Sequence, residues 1–311
     1  MRYNETMKHF LQSDAWANFQ KAFGRTVISD EGSGWSYQAI LEVGKFNTRL
    51  YAPYGPVIND KNALVDATQS LLDHARRLGV TFIRIEPTGD VDLDELGRLG
   101  YRKVAHVQPE VTSVVSLAPS ADDIIAAMSA NNRNLHRTYK QKGLSIHQSH
   151  SPQNMTVLIA LLHGVARHTG LRNHPDTYFQ KQADVLLPTK DAALYNVTFE
   201  DKPIVAAFVY DDAETRYYAH AAAGYAHRHL NAGNVLVSTM IIDAKKRGLK
   251  YFDLNGIWPQ AHEKTSHAGI TRFKHSFGGK DIYYAGTWEL PVKPYVYAAY
   301  SIMTKVVKRL K

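Results

Sequence analysis

The sequence predicts an α/β protein with mixed sheets, organised as two similar halves, and three observations carry that prediction. Amphipathic runs that close on a glycine are followed at once by a strand, as in LLDHARRLGVTFIRIEP (71–87) and MIIDAKKRGLKYFDLNG (240–256). These two segments can be laid over one another, so duplication of one α/β unit is the economical reading. Between them, AALYNVTFEDKPIVAAFVYDDAETRYYAHAAAG (192–224) reads as three strands joined by EDKP and DDAE turns. Hairpin-linked strands run antiparallel, which makes the sheet mixed.

Each element has a local reason. SDAWANFQKAFG (13–24) is a helix with Ser13 as N-cap and Gly24 as C-cap, around Trp16, Phe19 and Phe23. TRLYAPYGPVIND (48–60) is a strand ending in a Gly-Pro turn. NALVDATQSLLDHARRLGV (62–80) is an amphipathic helix stopped by Gly79, TFIRIEP (81–87) a strand ended by its proline, and LDELGRLGYRK (93–103) a short helix and turn. After Pro119, SADDIIAAMSANNRNLHRTYKQKGLSIHQS (120–149) reads as one helix, acidic at its start and basic in its second half, then a strand. Helices follow at 152–168 and 175–187, then the three strands, a loop, a helix stopped by Gly248, and a strand. GITRFKHSFGGKDIYYAGTWELP (269–291) reads as a polar loop, a Gly278-Gly279 turn and an aromatic strand. KPYVYAAYSIMTKVVKRLK (293–311) is an amphipathic helix with four cations at its end. Two roles stay open for it: a membrane-facing patch, or a closing helix packed on the first domain.

The composition bounds the chemistry. The chain has 311 residues, 44% hydrophobic and 21% charged, which suits a soluble protein with a true core. It has no cysteine, which excludes disulfides, thiolate zinc sites and a cysteine nucleophile. The formal charge of +8 favours an anionic partner, with cations clustered at Arg133–Lys142, Lys245–Lys250 and Lys305–Lys311. No apolar run approaches the roughly 20 residues that span a bilayer, and the N-terminus is too polar for a signal peptide, so a cytoplasmic location is expected. The histidine pairs His227/His229 and His262/His267 lack the spacing of a zincin, so no metal is expected.

The hairpins followed by HRHLNAGN (227–234), helix and strand are similar to the acyl-CoA N-acyltransferase (GNAT) core. There a basic residue and glycines before the helix hold a pyrophosphate on backbone N–H groups. Here Arg228, Asn231 and Gly233 stand in those places, and Gly233 is the one glycine of the loop. WANFQKAFG, YAPYGPV, TGLRNHPDTYF, FDLNGI and RFKHSFGGKDIYYAGTWELP, in this order, resemble the FemABX family from Trp16 to the final helix. That family transfers an amino acid from aminoacyl-tRNA to the peptidoglycan stem peptide. The resemblance implies two GNAT-like domains, 1–112 with 286–311 and 113–285, in the compact form without a coiled-coil arm.

It also implies roles. Lys274 would meet the aminoacyl-tRNA 3′ end and steady the oxyanion, with Phe273 stacking on the terminal adenine. A loop charge beside a core phenylalanine is the plainer alternative. Glu86 stands where the family carries an acid, in Glu-Pro rather than Asp-Pro, and would hold or deprotonate the attacking amine; a solvated strand-end acid is the alternative. Tyr178 matches the tyrosine of the family's Arg-Pro-x-x-Tyr segment, with His174 at the arginine and Arg172 near enough to supply charge. Tyr217, Tyr218 and His220 alternate on a strand facing the site, and Gln20 with Lys21 stands where the family has a phosphate-contacting lysine. Arg228 belongs to the phosphate loop. The implied partners are aminoacyl-tRNA and a UDP-linked or lipid-linked peptidoglycan precursor, with no cofactor, a monomeric state and peripheral membrane contact through the last helix. An acyl-CoA-dependent N-acyltransferase and a non-catalytic RNA- or envelope-binding module remain as alternatives.

Overall fold

A computed structural model describes residues 8–170, 172–259 and 266–309, so His262 and the final two residues lie outside the described part. The chain opens with α1 (Asp14–Ala22), β1 (Val27–Gly32), β2 (Trp35–Val43), β3 (Thr48–Ala52), β4 (Val57–Ile58), α2 (Leu64–Arg77), β5 (Phe82–Ile85), β6 (Thr88–Gly89), α3 (Leu93–Arg98) and β7 (Arg102–Lys103). It continues through β8 (Val111–Ser116), α4 (Ala121–Ala127), α5 (Ala130–Thr138), β9 (Leu144–Ser149), α6 (Met155–Thr169), α7 (Asp176–Leu186), β10 (Ala192–Phe199), β11 (Lys202–Asp211) and β12 (Thr215–Ala223). The last elements are α8 (Ala232–Lys246), β13 (Tyr251–Gly256), α9 (Ser266–His275), β14 (Lys280–Tyr283), β15 (Trp288–Pro291) and α10 (Pro294–Arg309). Two compact units result: one takes the chain up to Glu110 and again from Tyr283, the other is Val111–Ile282.

The first unit is a sheet in the order β6-β4-β2-β3-β5-β15-β7, with β1 added on β2. The parallel pair β3–β5 is bridged by α2, whose Leu64, Ala67, Leu71 and Ala75 are fully or almost fully buried at helical spacing. They pack with Leu50, Ile83 and Ile85, the apolar positions of the two strands. Ser13 caps α1 by accepting the Trp16 N–H at 3.2 Å.

The second unit is a sheet in the order β14-β8-β13-β12-β11-β10-β9. It repeats the arrangement: the parallel pair β12–β13 is bridged by α8. Here the pairing is short, running only from Thr215↔Tyr251 to Tyr217↔Asp253. Beyond it β12 continues to Ala223 against β11 alone, while β13 leans onto β8 and reaches Gly256↔Thr112. The two strands therefore splay apart toward their C-terminal ends. A buried ion cluster pins the closed end. Arg216, fully buried, forks onto Asp211 at 2.7 and 2.8 Å and reaches Asp243 at 2.9 Å and the Tyr195 hydroxyl at 2.7 Å.

Two segments differ from the sequence reading. The expected single helix after Pro119 is two, because Ser129 restarts it as an N-cap, its hydroxyl accepting the Asn132 N–H at 3.3 Å. The expected polar loop at 269–277 is the body of α9, and the expected single aromatic strand is two, β14 in one sheet and β15 in the other.

Candidate active site

The splay of β12 and β13 organises the site. α9 packs beside it along a stripe spaced by three residues: Ala268, Thr271 and Lys274 are all buried, and Phe277 follows. Thr271 ties the helix down, its hydroxyl accepting the Trp258 N–H at 3.0 Å. Lys274, in the last turn, is 9% exposed and donates to the Gly256 carbonyl at 2.7 Å, at the open end of β13. Burial pulls its pKa down from 10.5 to about 8, with the nearby Asp253 charge opposing the fall. The ammonium has three N–H groups, and among the described residues only Gly256 takes one. Near neutrality this is a mostly protonated, poorly hydrated cation held with donors to spare.

Phe273, one residue earlier, faces a cavity of about 340 Å³ that also touches Tyr218, Ala221, Arg228, Asn231 and the first turn of α8 through Gly233 and Asn234. Burial pushes the Tyr218 phenol up, so it stays a neutral hydrogen-bonding group. The first turn of α8 lines this space, and a helix N-terminus suits an anion. The wall is held by a side-chain relay: Asn234 donates to Asn132 at 2.8 Å, and Asn132 donates to the Ser276 hydroxyl at 2.8 Å, just after α9. Arg228 is exposed, its guanidinium 4.3 Å over the Tyr225 ring.

A second cavity, about 420 Å³, is lined by Leu162, Arg172, Asn173, His174, Phe179 and the Ala219–Ala221 segment of β12. His174 stacks on Tyr178 with ring centroids 4.2 Å apart, and His220 meets Phe179 edge-on at 5.1 Å. His220 is oriented from behind, 3.1 Å from the Tyr210 hydroxyl, which accepts from Gln182 at 2.8 Å. Burial pulls the His220 pKa down to about 4, so its ring is neutral at physiological pH. Arg172 is thus the one permanent cation of this pocket's lining. The two cavities share Ala221, so a single strand separates them.

The structure gathers Lys274, Phe273, Tyr218, Arg228, Arg172, His174, Tyr178 and His220 within the second unit. Tyr217 is not on the cavity side; it is buried and donates to Asp212 at 2.8 Å. Gln20 and Lys21 sit on α1 of the first unit, Gln20 fully buried and accepting from Arg25 at 2.9 Å, Lys21 exposed. Glu86, also in the first unit, is not a solvated strand-end acid. It is 4% exposed and accepts from Tyr51 at 2.7 Å, from the Gln108 N–H at 2.9 Å and from Thr287 at 2.6 Å. A carboxylate so occupied joins three chain segments. Asn132, Asn234, Gln182, Tyr210 and the Arg216 cluster escaped the sequence reading, since each acts through partners distant in sequence. Among the described residues, no group of three or more His, Asp or Glu is placed to hold a metal ion.

The comparisons with known proteins meet this geometry. Residues 189–305, which include β12, α8, β13 and α9, match the model of the FemAB family. The chain is 22% identical over 219 residues to "Lipid II:glycine glycyltransferase" of Staphylococcus epidermidis, covering 63% of this chain and 52% of that protein. It overlays the structure described as "Crystal structure of FemX" with a TM-score of 0.80 at 16% identity, covering 95% of both chains. The family match thus covers the C-terminal part of the chain, while the likeness of fold to FemX runs over nearly all of it. A tandem GNAT protein from the clavulanic acid biosynthesis pathway overlays with a TM-score of 0.55 at 11% identity, covering 86% and 83% of the two chains. The chain accordingly has a two-domain GNAT-like fold, and each unit carries the parallel strand pair bridged by a helix. It spans about half the length of the curated relative it matches.

Proposed function

We propose that the protein is an aminoacyltransferase that takes an amino acid from aminoacyl-tRNA and adds it to the stem peptide of a peptidoglycan precursor. The observation that carries this reading is the buried Lys274 ammonium at the splayed ends of β12 and β13, bonded only to Gly256 among the described residues. Two cavities that share one wall suit a reaction with two substrates. The relative named as a lipid II glycyltransferase supports the choice of acceptor.

In this reading the tRNA 3′ end enters the smaller cavity. Phe273 stacks on the terminal base, and Arg228 with the α8 N-terminus takes phosphate. The larger cavity orients the acceptor through Arg172, His174, Tyr178 and the neutral His220. The precursor amine, from the side chain of the third stem residue, attacks the ester carbonyl. A C–N bond forms and the carbonyl oxygen becomes an oxyanion facing the N–H groups of Lys274 that do not bond Gly256. Collapse breaks the C–O bond, and the terminal ribose hydroxyl leaves with a proton that came from the attacking nitrogen. A preorganised cation of this kind lowers the barrier by on the order of 3 kcal/mol. Glu86 is assigned a positioning role rather than proton transfer. The acceptor is nucleotide-linked or lipid-linked, which sets the reaction in the cytoplasm or at the inner face of the membrane. The basic surface holds the tRNA arm through phosphates, with steep salt dependence.

Charged tRNA incubated with each precursor form, followed by mass spectrometry, tests this directly. A gain of one aminoacyl residue supports it. A gain from acetyl-CoA without tRNA, or tight RNA binding without product, replaces it with one of the alternatives.

A further inference from the structure

We infer that one end of the first unit's sheet, formed by the β2–β3 hairpin tip and the start of α10, docks on an anionic lipid bilayer. The strands place these pieces side by side. Val43 pairs with Thr48, Thr81 donates its N–H to the Thr48 carbonyl at 2.8 Å, and Lys293 donates its N–H to the Thr81 carbonyl at 3.0 Å. Residues 43, 48, 81 and 293 thus form one row across β2, β3, β5 and β15, on the order of 15 Å wide at ordinary strand spacing. The end of α2 joins the row, for the Lys293 ammonium is 2.6 Å from the Gly79 carbonyl.

What this end exposes is unusual. Val43 is 76% exposed, Phe46 58%, Tyr295 92%, Val296 47% and Leu78 38%, five of the twelve exposed large apolar side chains of the described residues. α10 continues the surface. Its inner side packs Tyr297 and Tyr300 on Phe82, while Tyr295, Ala299 and Ile302 form an outward stripe at i, i+4 and i+7. A surface helix apolar on two opposite sides lacks a partner on one of them. The charges indicate which partner. The Lys45 ammonium lies 5.2 Å from the Phe46 ring centroid, and the Glu42 carboxylate of the same hairpin is already paired with Arg49 at 2.7 Å. The 22 residues after Glu289 hold five cations and no acid. Aromatic and aliphatic tips beside Lys45 and Lys293 match the headgroup region of a negatively charged bilayer, where rings sit at the interface and cations meet lipid phosphate.

The inference goes beyond the transfer reading and stands without it. Cosedimentation with extruded phosphatidylglycerol/phosphatidylethanolamine vesicles, against phosphatidylcholine vesicles, tests it with no substrate present. The wild-type protein should pellet with the anionic vesicles and be released by high salt. A Phe46→Glu/Tyr295→Glu variant, with an unchanged thermal melt, should partition at least about tenfold more weakly. Lys45→Glu should weaken binding less and flatten its salt dependence. The inference is overturned if the wild type ignores the anionic vesicles at low salt, or if the double variant pellets equally well. It is also overturned if the wild type is a dimer in sedimentation velocity that the double variant dissolves, for then a second copy covers this face. Transfer to a soluble nucleotide-linked acceptor should be unaffected in the double variant, so the two readings fail separately.

Discussion

Replacing Lys274 with methionine should stabilise the protein at pH 7 while removing its activity. Lys274 is 9% exposed, and burial brings its pKa from 10.5 to about 8. That difference corresponds to about 3 kcal/mol by which the folded state disfavours the charged form. The sign follows from proton counts. Below pH 8 both states hold the proton and the full penalty is present. Between pH 8 and 10.5 the unfolded chain holds a proton that the folded one has lost, so wild-type stability rises with pH across that window. Methionine has similar length and no charge, so it removes the penalty but gives up the 2.7 Å bond to Gly256, worth about 1 kcal/mol. The net gain at pH 7 is about 2 kcal/mol, and it should vanish near pH 10. Urea unfolding of wild type and Lys274→Met at pH 7, 8, 9 and 10 measures it, and other titrating groups cancel in the difference. Parallel curves over that range, or a less stable variant at pH 7, would refute the reasoning.

Three further outcomes follow from the geometry. Arg216→Leu takes the hydrogen-bonded cation from Asp243 and leaves Asp211 with Arg247 alone, and should cost about 3–5 kcal/mol by chemical denaturation. Glu86→Ala leaves Tyr51, Thr287 and the Gln108 N–H unmatched and should cost about 3 kcal/mol, while Glu86→Gln costs less; kcat per folded molecule should survive in both if the residue only positions. Ala221→Trp intrudes on both cavities and should raise KM for donor and acceptor together, whereas filling one cavity alone would raise only one.

Much of the fold was legible because its signals are local. Gly79 and Gly248 both adopt the left-handed conformation, φ +63° and +82°, that stops α2 and α8, and the apolar periodicity of α2 is unambiguous. α9 was not legible for the reason that makes it interesting. Its buried stripe is Ala268, Thr271 and Lys274, and a polar threonine and a lysine erase the apolar pattern by which helices are found. The aromatic run after Gly279 divides at Gly286, φ +81°, where the chain passes from one sheet to the other, a choice made by tertiary pairing. The site was partly legible. Lys274, Phe273, His174 and Tyr178 came from resemblance, and their surroundings did not. The Gln182–Tyr210–His220 chain spans three elements, and Glu86 gives no local sign that it is buried under donors from Tyr51, Gln108 and Thr287.

Single-turnover transfer from charged tRNA, compared between wild type and Lys274→Ala across pH 6.5 to 9.5, tests the central claim most directly. The wild-type rate, once the titration of the attacking amine is allowed for, should fall as pH rises through about 8. The variant should be slower by on the order of a hundredfold or more at pH 7 and lack that fall. A variant that transfers at the wild-type rate with the same pH profile would contradict it, and would leave the buried ammonium as a structural burden without a task.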